Sequence, residues 1–102
     1  MTGEVFEIAG DGAVRISGPL TFDTVEEVRA AARAGVGPDG WRGEGLTFDL
    51  AGVGPADSAG LALLVDWRRT AHREGVRIHF RGTPLTLRAI ARLCGVDDHL
   101  FG

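Results

Sequence analysis

The 102-residue chain contains no lysine and no tyrosine, and it has only one cysteine, Cys94. A single cysteine excludes an internal disulfide and fits a reducing compartment. Because lysine is absent, all eleven basic residues are arginines, and their spread along the chain indicates a genome bias rather than a site. The formal net charge of −3 gives no electrostatic reason to expect DNA, RNA or an anionic membrane as the direct partner.

Long apolar runs are also missing. No run approaches the roughly 18–20 residues that a membrane span needs. The N-terminal Met1-Thr2-Gly3-Glu4 lacks the positive and apolar segments of a signal peptide. We therefore expect a soluble cytoplasmic protein, one that would serve a membrane only through another protein. The length and the 44% hydrophobic content predict one domain, residues 1–102, around a single core.

Apolar spacing along the chain predicts the element order β-β-α-β-α-β-α. The predicted strands lie within 5–8, 13–17, 46–50 and 76–80, and the helices cover about 21–34, 58–74 and 84–94. The turn Gly10-Asp11-Gly12 joins the first two strands, and Gly18-Pro19 is expected to stop the second. Strand–helix–strand units favour right-handed crossovers. The pattern therefore predicts an α/β fold with three helices and a mixed, mostly parallel sheet of about four strands. With so few helices, we expect one face of the sheet to be covered better than the other.

Particular residues mark the ends and the buried faces of these helices. Thr21 or Asp23 is expected to cap the first helix, Gly75 to end the second, and Thr83 to cap the third. We expect Phe22 to lead the inward stripe of the first helix and Cys94 to lie on the core face of the third. The tail is expected to pack back through Val96, Leu100 and Phe101. Residues 35–45, with five glycines and a proline around Trp41, predict a mobile surface loop.

The strongest local signal is Asp57-Ser58-Ala59-Gly60, where a loop over 51–56 leads from a strand into the second helix. Ser58 is predicted to be the N-cap, accepting a hydrogen bond from a backbone N–H one turn in. A glycine inside a first turn costs about 1 kcal/mol relative to alanine. Gly60 therefore indicates a close backbone approach at that position.

The next residues, Leu61-Ala62-Leu63-Leu64-Val65, are apolar all around the helix. Gly60, Leu63, Leu64, Trp67 and Ala71 form one stripe that can face the sheet. Leu61 and Val65 then lie on another face, beside Ser58. Either they form an apolar docking surface, or the third helix or the tail covers them.

Other residue patterns do not indicate catalysis or a cofactor. Ser58 has no histidine placed to serve as its base, and the nucleophile-elbow pattern is absent. His72, His79 and His99 lack metal-ligand spacing, and no glycine-rich nucleotide motif opens a helix. Arg68, Arg69 and Arg73 are interpreted as a solvated basic edge of the second helix, one that would suit an acidic partner surface.

Taken in chain order, these motifs resemble the STAS domain family. The resemblance is carried by Asp57-Ser58-Ala59-Gly60-Leu61 after a strand and loop, with Gly18-Pro19-Leu20-Thr21 before the first helix and Gly75-Val76-Arg77-Ile78 after the second. It covers nearly the whole chain. The stretches 20–25, 60–64 and 87–96 are most similar to the MlaB branch, the STAS subunits of Mla phospholipid-transport ABC systems.

The resemblance implies a non-enzymatic protein without a cofactor that binds and supports the ATPase subunit of such a transporter, which maintains lipid asymmetry. Ser58 would lie at that contact, with Asp57 orienting the loop and Ala59, Gly60, Leu61 and Val65 around it. The family's other branch, the anti-sigma-factor antagonists, implies an alternative in which an anti-sigma kinase phosphorylates Ser58. Gly54-Pro55-Ala56 departs from the bulkier apolar residues usual before the motif, and the 35–45 insertion is longer than expected.

Overall fold

A computed structural model of the chain describes residues 6–8, 13–36 and 45–101. These ranges contain the predicted elements in the predicted order, and the C-terminal tail adds one short helix. In chain order the elements are β1 Phe6–Ile8, β2 Val14–Leu20, α1 Val25–Val36, β3 Leu46–Ala56, α2 Ser58–Glu74, β4 Ile78–Arg81, α3 Leu85–Leu93 and α4 Asp97–Phe101. The α/β class is confirmed, with four described helices instead of three.

The strands form one sheet in the order β1-β2-β3-β4. β1 runs antiparallel to β2, whereas β2, β3 and β4 run parallel, with Phe48 of β3 paired to Val14 and to Phe80. Parallel neighbours need a crossover between them, and α1 and α2 supply it. The prediction of a mixed, mostly parallel sheet is therefore confirmed.

One face of the sheet carries the core. Phe48 of β3 stacks on Trp67 of α2, with ring centroids 4.5 Å apart and planes within 8°. Phe80 lies beside Phe48 at 5.8 Å, and Phe101 of α4 meets Phe80 edge-on at 6.0 Å. Aromatic pairs at these distances add about 0.5–1.5 kcal/mol beyond their area burial. The predicted sheet-facing stripe of α2 is buried throughout: Gly60, Leu63, Leu64, Trp67 and Ala71.

The opposite face of the sheet is polar. Arg15 and His79 are exposed there, and Arg81 forms a 3.3 Å salt bridge with Asp49 of the neighbouring strand. A hydrogen bond from the Ala51 N–H lowers the pKa of Asp49, against the effect of partial burial, and Arg81 lowers it further. The expected difference between the two faces of the sheet is confirmed.

Both strands that lead to the second helix are longer than predicted. β2 continues through Gly18 to Leu20, and β3 continues through the expected loop to Ala56. The two stay paired to the end, with Leu20 opposite Ala56, and the ladder shifts register between Gly18 and Leu20. Such an irregularity accommodates Pro19, which has no N–H to donate. The prediction that Gly18-Pro19 stops the strand was wrong.

The start of α1 also differs from prediction. Thr24, rather than Thr21 or Asp23, organises it: its hydroxyl donates to the Pro19 carbonyl at 2.9 Å and accepts the Thr21 N–H at 3.0 Å. This turn delays the helix to Val25 and leaves Phe22 outside the inward stripe. Phe22 is 78% exposed, so its assignment to the core was wrong.

Two predictions about α3 were wrong, whereas the predicted end of α2 is confirmed. Gly75 ends α2 in the left-handed conformation, with φ at +71°. Pro84, rather than Thr83, is the N-cap of α3, and proline has no side-chain group that could cap the helix; the Thr83 hydroxyl is buried without a described hydrogen-bond partner. Cys94 follows the last turn of α3 and is exposed rather than buried, because the helix has already ended at Leu93.

Two sequence predictions lie outside the described residues: the turn Gly10-Asp11-Gly12 and most of the 35–45 loop, including Trp41. Among the residues that are described, no helix has both the length and the apolar character needed to cross a membrane. The predicted packing of the tail is confirmed, because Leu100 is fully buried and Val96 and Phe101 pack against the core.

Candidate functional site

The candidate site lies at the edge of the sheet where β2 and β3 end. Because these strands are parallel, the turn after β2 and the start of α2 meet at this edge. The Asp57 N–H donates to the Leu20 carbonyl at 3.3 Å, which continues the strand pairing up to the helix. The β3–α2 junction is thus attached to the end of β2.

Asp57 is the N-cap of α2. Its backbone is extended, and its Oδ1 accepts the N–H groups of Ala59 at 2.9 Å and Gly60 at 3.3 Å. The other oxygen, Oδ2, accepts the N–H of Phe22 at 3.0 Å. A carboxylate has two acceptor oxygens, so one side chain caps the helix and holds the turn after β2. The prediction that Ser58 is the cap was therefore wrong, and Ser58 is the first helical residue.

The three N–H donors also favour the ionised form of the Asp57 carboxyl. The Phe22 N–H makes the largest contribution to lowering the pKa of this carboxyl, and those of Gly60 and Ala59 lower it further, against the opposing effect of desolvation. Hydrogen bonds to the ionised form account for this direction. Asp57 is therefore a fixed negative charge at the start of the helix, where the dipole favours it.

Gly60 brings the first turn of α2 against the end of β2. A Cβ at this position would lie 2.9 Å from Cγ of Leu20 and would collide with the Leu20 carbonyl oxygen. Real Cβ atoms do not come this close, so the site requires glycine. The close backbone approach predicted for Gly60 is confirmed, and its neighbour is the last residue of β2.

Ser58 is exposed at this junction, and Ala59 beside it is half-buried. In the part of the chain that the structure describes, the Ser58 hydroxyl makes no hydrogen bond. Phe22 is nearby, because its N–H is bonded to the adjacent Asp57, and its side chain is exposed. The accessible groups of this junction thus include the Ser58 hydroxyl and, on the turn that is bonded to Asp57, the side chain of Phe22. Helical periodicity had placed that ring in the core.

Leu61 and Val65 do not together form an exposed apolar surface, which was one of the two alternatives for them. Leu61 is only 4% exposed and belongs to the core, so it has almost no side-chain surface left for a partner. Val65 is half-buried and packs against the same core. An exposed docking role is therefore excluded for the Leu61 side chain, which is buried in the core, whereas Val65 keeps a part of its surface.

The described residues offer no metal-binding group of three or more His, Cys, Asp or Glu side chains. His72 and His79 are exposed on separate elements, α2 and β4. At the candidate site the described side-chain chemistry consists of the Asp57 carboxylate, which is occupied by N–H groups, and the Ser58 hydroxyl. This arrangement is suited to holding a hydrogen-bonding surface in a fixed position.

Replacing Asp57 by alanine is expected to lower the melting temperature by about 5–10 °C, as loss of a good N-cap does in a small domain. The change removes the two oxygens that accept three backbone N–H groups, and it releases the turn containing Phe22. Thermal unfolding followed by circular dichroism at neutral pH measures the shift. Asp57→Asn is the matched control, and its single acceptor oxygen should retain only part of the stability. Equal melting temperatures for all three proteins would contradict the assigned role.

The difference between wild type and Asp57→Ala should also depend on pH. Because the folded-state pKa of Asp57 lies below its ordinary value of 3.8, the ionised carboxylate stabilises the fold fully above that value. This contribution is lost as the pH falls through the lowered pKa. Melting curves should therefore show a constant difference from about pH 7 to about pH 5 and a shrinking one below about pH 4. A difference that grows on acidification would contradict the assignment.

Comparison with known proteins gives a family match over nearly the whole chain. A family model described as "Mlab, STAS domain" matches residues 6–102. No curated protein matches the chain significantly. The matched region includes every described element and the whole Asp57–Gly60 junction.

Proposed function

We propose a non-enzymatic binding function for this chain, which belongs to the family of MlaB-type STAS domains. STAS domains are generally non-catalytic and commonly act through protein–protein interaction. The proposed partner is the ATPase subunit of an ABC-type phospholipid transporter, whose assembly and activity the chain would support in maintaining lipid asymmetry. Through this partner the chain would work at the cytoplasmic face of the inner membrane.

The observation that carries the proposal is the free, exposed Ser58 hydroxyl on a rigid support. Asp57 fixes the first turn of α2 and the turn after β2 together, and Gly60 seats that turn against Leu20. A surface held in one conformation loses little entropy when it binds. Ser58 can therefore donate a hydrogen bond to a partner without prior rearrangement of its support.

Phe22 extends the proposed contact surface. The residue is 78% exposed, although burying a phenylalanine side chain fully is worth about 1.5–3 kcal/mol. Aromatic anchors near the centre of an interface carry much of the binding energy in many complexes. We propose that Ser58, Phe22 and Ala59 form the contact, with Asp57 and Gly60 holding its backbone and Val65 at its margin.

Affinity purification of the tagged chain from its native cells, followed by mass spectrometry, tests the class of partner. The expected result is co-purification of an ABC-transporter ATPase subunit by wild type, with loss of that subunit when Phe22 is replaced by aspartate. His79→Asp, which adds the same negative charge on the open face of the sheet, is the matched control and should retain the subunit. Equal recovery of the ATPase subunit with both variants would place the contact elsewhere.

A phosphorylation switch, as in anti-sigma-factor antagonists, is the second candidate, and the exposure of Ser58 favours it. The surroundings are less favourable, because Asp57 already occupies the N–H groups of Ala59 and Gly60, and its negative charge opposes a phosphate beside it. Incubation with a cognate anti-sigma kinase and ATP should add one phosphate to wild type and none to Ser58→Ala if this function holds. No mass shift with an active kinase would exclude it, which is the result we expect.

A further inference from the structure

A second surface feature lies at the other end of α2. The last two turns of this helix and the short α4 enclose a surface cavity of about 480 Å³. Its described lining consists of three arginines and two histidines: Arg68, Arg69, His72, Arg73 and His99. In the described ranges none of these five side chains has a carboxylate partner. We call this feature the basic cavity.

The helix dipole explains only part of this charge. Cations are favoured near a helix C-terminus, which accounts for His72 and Arg73 in the last turn of α2. Arg68 and Arg69 lie before that turn, and His99 belongs to α4. A chain with a net charge of −3 thus concentrates three arginines that form no salt bridge with a described acidic side chain.

Arg68 lines the basic cavity, and its guanidinium group is held in place by the protein. Its guanidinium donates to the Ile78 carbonyl at 3.2 Å and to the Leu100 carbonyl at 2.6 Å, and it lies 5.6 Å from the centroid of the Phe80 ring. Burial lowers the pKa of Arg68, as expected for a charge taken from water without a counter-ion. Arg69 and Arg73 are exposed beside it and can turn their guanidinium groups toward a ligand.

We propose that the basic cavity binds a phosphate-ester or diphosphate group. Planar guanidinium groups bind phosphate oxygens through paired, charge-assisted hydrogen bonds. The volume falls within the range of about 300–1,000 Å³ that is common for small-molecule sites. Arg68 is ten residues beyond Ser58, about 15 Å along the helix, so the basic cavity is separate from the proposed contact surface. The inference does not depend on the identity of the protein partner.

The test uses the full chain with Arg69 and Arg73 both replaced by glutamine. Arg68 is left in place, because its bonds to Ile78 and Leu100 make its loss a change in folding. The matched control replaces Arg33 and Arg92 by glutamine, which removes the same charge from exposed sites in the last turns of α1 and α3. Melting temperatures of both variants should stay near that of wild type, since surface changes cost within about 0.5 kcal/mol each.

Isothermal titration with pyrophosphate and flotation with vesicles measure binding. The vesicles are phosphatidylcholine with phosphatidylglycerol, compared with phosphatidylcholine alone. Pyrophosphate binding that weakens about tenfold or more in R69Q/R73Q, but not in R33Q/R92Q, supports the site with a soluble phosphate ligand. Vesicle binding lost in the same variant, without pyrophosphate binding, supports a lipid headgroup phosphate. No binding of either probe by wild type, or equal weakening in both variants, overturns the proposal.

Discussion

Replacing Gly60 by alanine is expected to lower the free energy of unfolding by about 2–3 kcal/mol, the upper part of the range of about 1–3 kcal/mol that is typical of overpacked cores. At most helical positions the same change stabilises a protein by about 0.5–1 kcal/mol. Here the new methyl group would meet the carbonyl oxygen and Cγ of Leu20, a fully buried residue at the end of a central strand. The first turn of α2 would have to move away from β2. Urea denaturation of the two proteins measures the difference.

Ala62→Gly is the matched control, because Ala62 is exposed on the same helix. It should show the ordinary glycine penalty of about 0.5–1 kcal/mol. Adding a methyl group at position 60 and removing one at position 62 should then both destabilise the chain. Helix propensity alone predicts opposite effects for the two changes, so this outcome requires a contact specific to Gly60. An alanine at position 60 that stabilises the chain would show that α2 does not lie against Leu20 as described.

Sequence patterns predicted the fold well, because most of the patterns that identify its strands and helices are local in the chain. The alternation of Val76 to Phe80, the apolar stripe of α2 and the glycine at its end depend on residues close together in the chain. The continuation of β3 through residues 51–56 could not be predicted in this way. Glycine and proline indicate a loop there, and only pairing with β2 makes the segment a strand.

The sequence located the junction at the start of α2, but it did not predict which residue caps the helix there. Serine and aspartate are about equally good N-caps, so sequence rules cannot decide between adjacent Asp57 and Ser58. Asp57 differs from Ser58 in accepting a further hydrogen bond from the N–H of Phe22, which is 35 residues away in the chain. The exposure of Phe22 has the same origin, since the turn after β2 delays the start of α1. Long-range contacts of this kind leave no periodic signal in a single sequence.

Replacing Ser58 by glutamate is expected to weaken binding to the ATPase subunit by at least about tenfold, as losing a buried interfacial hydrogen bond does. The change replaces a small donor with a longer, negatively charged acceptor beside the fixed charge of Asp57. Stability should change by less than about 1 kcal/mol, because the helix dipole favours a negative side chain in the first turn. Isothermal titration against the purified ATPase subunit, together with melting curves, separates the two effects.

The most direct test of the account is this affinity measured for wild type, Ser58→Glu and Ser58→Thr under one set of conditions. Threonine keeps the hydroxyl, so Ser58→Thr should bind within about threefold of wild type, whereas Ser58→Glu should lose at least about tenfold with its fold intact. The account would be contradicted if all three proteins bound the ATPase subunit equally well, or if wild type did not bind it at all.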